Sequence, residues 1–328
     1  MRMKTKTSLR LFMYSYSPYL GCIILLLALP PFLSSYFLSM LTKVLIFGIF
    51  CLSLDLILGY TGLLSLGHAA FMGTAGYTTG ILMVHFGIGN FWALMSIAVL
   101  MAGIAAAMIG FMVLRVTGVY FLLLTLAFGQ LLSVAAIRWR SITGGTNGLI
   151  GIDYPNIGIE SFSWSSLSFY YLVFICFILC YYILKKIVES SFGRSLVGIR
   201  ENEARMQALG FNTWAHKYTA FIISGLFAGV AGALFAFFYG IMVPEHLALT
   251  TSASGMLMVV IGGPGTLFGP VIGSLVIILL EHYASIYSPE RWPLILGCVF
   301  VICVIFLRGG VAKYLTGLWQ KLEALIWK

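Results

Sequence analysis

Two residues of an otherwise apolar stretch could exchange a proton: Asp55 and His68, which stand 13 positions apart. A carboxylate and an imidazole within reach of one substrate make an acid–base pair, the chemistry a membrane-embedded enzyme would use. Asp55 has two other readings. It could meet a cationic group of a transported solute. It could equally accept hydrogen bonds from backbone groups freed by a nearby helix break, or from hydroxyls such as Thr61 and Ser65. Inserting a carboxylate into a bilayer costs about 2.5–3.5 kcal/mol, so Asp55 must face the interior of a bundle with a partner. The structural role is the simpler expectation.

Other chemistry finds no support. No P-loop signature (GxxxxGK followed by Ser or Thr), no HExxH and no GxSxG occurs, so nothing here binds ATP through a P-loop or forms a known hydrolytic centre. The cysteines at 22, 51, 176, 180, 298 and 303 lie in apolar segments without CxxC or metal-ligand spacing, which marks them as small buried helix residues. No metal site is expected.

The elements that hold Asp55 and His68 follow from composition. Of 328 residues, 61% are hydrophobic and 9% charged, against about 25% charged in soluble domains. A water-exposed surface cannot be built from so few charges, so the chain is an all-α, polytopic membrane bundle. Uncharged runs cover 11–42, 56–114, 116–137, 161–184, 218–244, 246–280 and 292–307. With about 20 apolar residues per crossing, they predict about ten spans, at roughly 19–38, 41–58, 68–86, 92–114, 118–137, 168–184, 217–240, 251–262, 266–282 and 292–307. The eighth is too short for a full crossing.

The net charge of +9 is distributed as the positive-inside rule requires. Basic residues cluster at 2–10, at 185–217 and from Arg308 to the tail. Even numbers of expected spans separate the clusters, which places both termini and the central loop in the cytoplasm. The four basic residues before the first apolar run resemble a signal-peptide start, but no small-residue cleavage site follows, so an uncleaved first span is expected.

Two glycine-rich stretches interrupt this pattern: GYTGLLSLGHAAFMGTAG at 59–76 and GMLMVVIGGPGTLFGPVIG at 255–273. Broken helices survive at membrane depth only when packed in protein or lining a wet cavity, and transporters aim such breaks at a substrate near the midplane. Close helix packing through small residues explains single glycines equally well. The segment SITGGTNGL at 141–149, with Thr143 and Asn147, reads as a tight turn at an outer mouth or as a plain loop.

One sizeable cytoplasmic loop, 186–216, remains. Asn202 is a good N-cap, Glu203 and Ala204 open a helix, and Gly210 stops it. A helix over 202–209 is too short to stand alone in water, so it needs a surface, and its charges favour a partner protein.

These residues carry a resemblance. SFGRSLVGIRENEARMQALGFNTWAHKYTAF is similar to the cytoplasmic loop of LivM-type permeases of branched-chain amino acid ABC importers, which bears the sequence that docks the ATPase. LDLILGYTGLLSLGHAAFMGTAGY, GVYFLLLTLAFGQLL with ITGGTNGL, AFIISGLFAGVAGALFAFFYGIMVP and MVVIGGPGTLFGPVIG match further family signatures in order over roughly 50–310. The chain departs from the family pattern at Asp55 (Asn expected), Leu64 (Gln) and Gln130 (Glu), and urea-import permeases share the same signatures.

The resemblance implies a permease subunit, not an enzyme, in the bacterial inner membrane. Its partners would be a second related permease, two ABC ATPases that bind the ATP, and an extracytoplasmic substrate-binding protein. It makes Arg200, Glu201, Glu203, Ala204, Ala208, Leu209 and Gly210 the ATPase-coupling residues. Asp55, Ser65, Gly67, His68, Gly73, Thr125, Gln130, Asn147, Gly262 and Gly263 become the expected substrate pathway. A passive channel is the remaining alternative, distinguished by flux that ignores ATP.

Overall fold

A proline pair decides where the first long helix starts. Pro30–Phe32 forms a single 3₁₀ turn, because proline has no N–H to continue a helical ladder, and helix α1 begins beyond it at Ser35–Asp55. The computed structural model describes residues 25–158 and 164–287, with 294, 297, 298, 301, 305 and 310–313. The expected boundary between spans at 38–41 is therefore corrected. Residues 35–45 contain no helix breaker, and α1 runs straight through that boundary before widening into a π-helical turn at Leu56–Tyr60.

The chain then forms α2 (His68–Val84), α3 (Phe91–Val113), α4 (Val119–Arg138) and α5 (Ser166–Glu189). Next come α6 (Ser191–Glu201), α7 (Glu203–Ala208), α8 (Thr213–Tyr239), α9 (Leu249–Gly262) and α10 (Phe268–Tyr287). Caps set several boundaries. The Asn90 side chain accepts from Trp92 N and Ala93 N at the start of α3, and Asn212 accepts from Ala215 N at the start of α8. Gly240, with φ 68°, ends α8 in the left-handed conformation that glycine favours.

Among the described residues, six helices are long and apolar enough to cross a membrane: α1 with its π turn, α3, α4, α5, α8 and α10. Helices α2 and α9, at 17 and 14 residues, coincide with the third and eighth expected spans but are shorter than a crossing. Positions 19–24 of the first expected span and most of the tenth lie outside the described residues, as do residues 2–10 and the tail beyond Lys313, and the remainder of the first is interrupted by the turn at Pro30–Phe32.

Helix α8 is the centre of the packing, against α3, α2 and α1, while α1 also packs on α5, α9 and α10. Small residues permit this closeness. Gly225 and Gly229 sit on Ala106 and Ala102 of α3, and a Cβ at Gly232 would strike the Met72 backbone of α2. A two-residue antiparallel ladder, β1 (Leu149–Ile150) with β2 (Ile241–Met242), pins the 139–158 segment to the end of α8.

Candidate functional site

The two glycine breaks meet in space. Asp55 is fully buried at the end of α1, and its Oδ1 accepts from Gly265 N at 2.7 Å while Oδ2 accepts from Leu267 N at 3.3 Å. The carboxylate thus caps the connection between α9 and α10, where Gly263 (φ 114°), Gly265 (φ 79°) and Leu267 (φ 56°) leave backbone groups without helical partners. A Cβ on Gly59 would fall on Asp55 Oδ1 and Gly265 N, so only glycine lets the breaks close on each other.

Arg200 completes this junction. Arg200, in the last turn of α6, is an exposed residue whose guanidinium reaches back to donate to the Gly59 carbonyl. Its side chain lies against Gly62 and Gly265. One cation from the loop therefore touches both breaks.

A second layer lies deeper in the bundle. His68, the first residue of α2, is fully buried, with Nε2 2.8 Å from Ser224 Oγ. Ser224 Oγ also donates to the Ser53 carbonyl at 2.5 Å. A hydroxyl has one proton to give, so the serine oxygen accepts from His68 Nε2–H, which places a proton on Nε2. The ring sits between Phe50 and Phe71. Asp55 and His68 each have their own partners, and the structure does not pair them.

Around His68 the starts of two short helices converge. Ala69 N, in the first turn of α2, donates to Ser252 Oγ in the first turn of α9 at 2.9 Å. Gly67 abuts the Thr125 backbone of α4, and Leu66 N donates to Thr125 Oγ1 at 3.2 Å. Gly73 packs on Leu247. Ser65 Oγ is buried without a hydrogen-bond partner in the protein.

The expected pathway residues thus fall into groups. Asp55, Gly262 and Gly263 belong to the Arg200 junction, and Ser65, Gly67, His68, Gly73 and Thr125 to the deeper layer. Gln130 is half-buried on α4. Asn147 stands apart: it is exposed in the turn before β1, which packs beside Gly80 in the far half of α2.

The coupling loop is more structured than its sequence suggests. Asn202 caps α7 as expected, accepting from Arg205 N at 2.9 Å, and Gly210 (φ 86°) follows the helix end. But α7 covers six residues, and α6 precedes it, starting at the Ser190 cap and burying Leu196 and Ile199. Glu201, Ala204, Ala208 and Gly210 are exposed, and Leu209 is 67% exposed. Glu203 turns back to pair with Lys217 of α8 at 2.6 Å. Among the described residues no cluster of three His, Cys, Asp or Glu side chains could hold a metal.

The family described as "Branched-chain amino acid transport system / permease component" matches residues 36–305. The permease protein LivM of the high-affinity branched-chain amino acid transport system of Escherichia coli (strain K12) is 31% identical over 311 residues, covering 88% of this chain and 73% of that protein. A probable LivM of Methanocaldococcus jannaschii is 24% identical over 274 residues, covering 74% of this chain and 79% of its own. The LivH permease of Escherichia coli (strain K12) matches a shorter stretch, 28% identical over 116 residues, or 35% of this chain and 37% of that protein. No solved structure matches. With six membrane-length helices and a family match over most of its length, the chain is a multi-pass membrane protein belonging to the permease components of branched-chain amino acid transport systems.

Proposed function

We propose that this chain carries branched-chain amino acids across the bacterial inner membrane as the LivM-type subunit of an ABC importer, both termini in the cytoplasm. A LivH-type permease would form the other half of the pathway. Two ATPases would supply the energy and bind the ATP, and a substrate-binding protein would deliver the cargo.

The Arg200 contact carries this reading. Glu201, Ala204, Ala208, Leu209 and Gly210 present an exposed knob on α7 and its flanks, the kind of short helix that needs a groove to lie in. Two links join that knob to the membrane helices: the Glu203–Lys217 pair to α8, and Arg200 to the Gly59 carbonyl. A push on α7 is thereby delivered to the breaks at 59–67 and 263–267, the places where helices α1, α2, α9 and α10 are free to change their mutual angle. Opening and closing the deeper layer around Ser65, His68 and Thr125 is the resulting alternating access.

The experiment is vesicle uptake by the reconstituted importer carrying Arg200→Ala. Leucine uptake is expected to fall at least tenfold while the complex assembles and still hydrolyses ATP. Normal uptake by this variant removes the coupling role, and uptake of urea in place of leucine reassigns the substrate.

A further inference from the structure

A groove of about 480 Å³ lies between the first half of α1, the second half of α10 and the end of α8. It contains an ion pair on two membrane-crossing helices: Lys43 Nζ to Glu281 Oε2, 3.2 Å apart. By helix rise, Lys43 is roughly 18 Å along α1 from Asp55, and Glu281 roughly 20 Å along α10 from Phe268. The groove is therefore at the end of the bundle remote from Arg200 and α7, and it shares no residue with the sites above.

Ionisable side chains within spanning segments are rare, and by default they mark a path or a site. A purely structural pair would be sealed by packing. This one is not, with side chains 25% and 35% exposed onto the groove. Tyr36 and His282 add a polar lip, the hydroxyl 2.6 Å from Nδ1, and Met40 and Ile278 supply apolar wall. The volume falls within the range of small-ligand pockets, about 300–1,000 Å³.

We propose that the Lys43–Glu281 groove binds a zwitterionic α-amino acid with an aliphatic side chain, a site on the permease itself at its outer half. The ligand's carboxylate takes Lys43 and its ammonium takes Glu281, so one ion pair becomes two and no charge is left unpaired in the membrane. The side chain lies on Met40 and Ile278. The proposal rests on the reading of the chain as a branched-chain amino acid permease. A phosphatidylethanolamine headgroup carries the same two charges and is the competing occupant.

The test is binding of radiolabelled leucine to the full chain with its partner permease, in phosphatidylglycerol nanodiscs free of binding protein and ATPase. Saturable binding is expected, competed by valine and isoleucine, but not by 4-methylpentanoate or 3-methylbutylamine, each of which lacks one charge. Lys43→Met should weaken it at least tenfold. So should the double variant Lys43→Met/Glu281→Gln, which leaves no lone charge and so guards against misfolding. Absence of binding, equal competition by the singly charged analogues, or wild-type affinity in the double variant overturns the proposal. Displacement of leucine by added phosphatidylethanolamine also overturns it, assigning the groove to lipid. Leucine uptake by the complete importer is measured in parallel: uptake without groove binding sinks this site alone, whereas no uptake sinks the permease reading beneath it.

Discussion

Asp55 Oδ1 accepts the amide of Gly265 at 2.7 Å across 210 positions of sequence, and this bond joins the two helix breaks. The carboxylate acts as a backbone cap. Asp55→Leu would strand the amides of Gly265 and Leu267, each unpaired buried donor costing about 1–3 kcal/mol. The expected result is a marked drop in the thermal unfolding midpoint in detergent. Asp55→Asn retains one acceptor oxygen, so it should lower the midpoint less than Asp55→Leu and leave leucine KM unchanged. A raised KM in the Asn variant, with stability intact, would instead place Asp55 on the substrate.

Gly67 is tight against the backbone of Thr125, so even one methyl group forces α2 and α4 apart. Gly67→Ala should lower uptake at least tenfold in complexes that still assemble, and Gly67→Leu should abolish it. Gly89, with open space around it, supplies the control: Gly89→Ala should transport as wild type. Equal activity of the Gly67 and Gly89 variants would show that the contact does not matter for transport.

Lys217 is buried to 9% exposure of its side chain and pairs with Glu203 at 2.6 Å. Lys217→Met should leave ATPase co-purification intact while hydrolysis runs without uptake. Changes on the exposed knob, Glu201→Ala with Gly210→Val, should instead weaken co-purification. The two phenotypes separate transmission from docking, and their interchange would refute the assignment.

Ser224→Ala removes the acceptor for the buried His68 Nε2–H. A buried donor left unpaired costs about 1–3 kcal/mol, read as a lower unfolding midpoint of the purified complex. An unchanged midpoint would mean that another group takes the proton, against the proton position derived above.

His246, in the turn between β2 and α9, has its imidazole pushed down from 6.5 to about 4 by burial. The unfolded chain binds this proton at higher pH than the folded one, so the contribution is whole above pH 6.5 and fades as pH falls toward 4. Protection factors for amide exchange over 241–248, taken relative to the intrinsic rate at each pH, should fall across that window. In His246→Gln the pH dependence should flatten; if it persists unchanged, another group is titrating.

Much of this was legible from local sequence. Glycines clustered at 59–67 and 262–269, the second with Pro264 and Pro270, announced the breaks, whereas the spaced glycines of α8 serve packing, and Asn202 with Gly210 announced α7. Helix α6 was not legible. Only Ser190 separates it from α5, and its buried face is only Leu196 and Ile199 with Gly193 and Ser195. The bond from Arg200 to the Gly59 carbonyl gave no signal either, since the two residues are 141 positions apart. Nor could sequence spacing pair Asp55 with Gly265, or His68 with Ser224, because those partners are chosen by the tertiary fold.

The bond between Ala69 and Ser252 has a mechanical corollary. Helices α2 and α9 run away from it in opposite directions, one toward β1 and the other toward Asp55, so together they make a single column with a fault line across its middle. Sliding along that seam breaks one hydrogen bond and no helical turn.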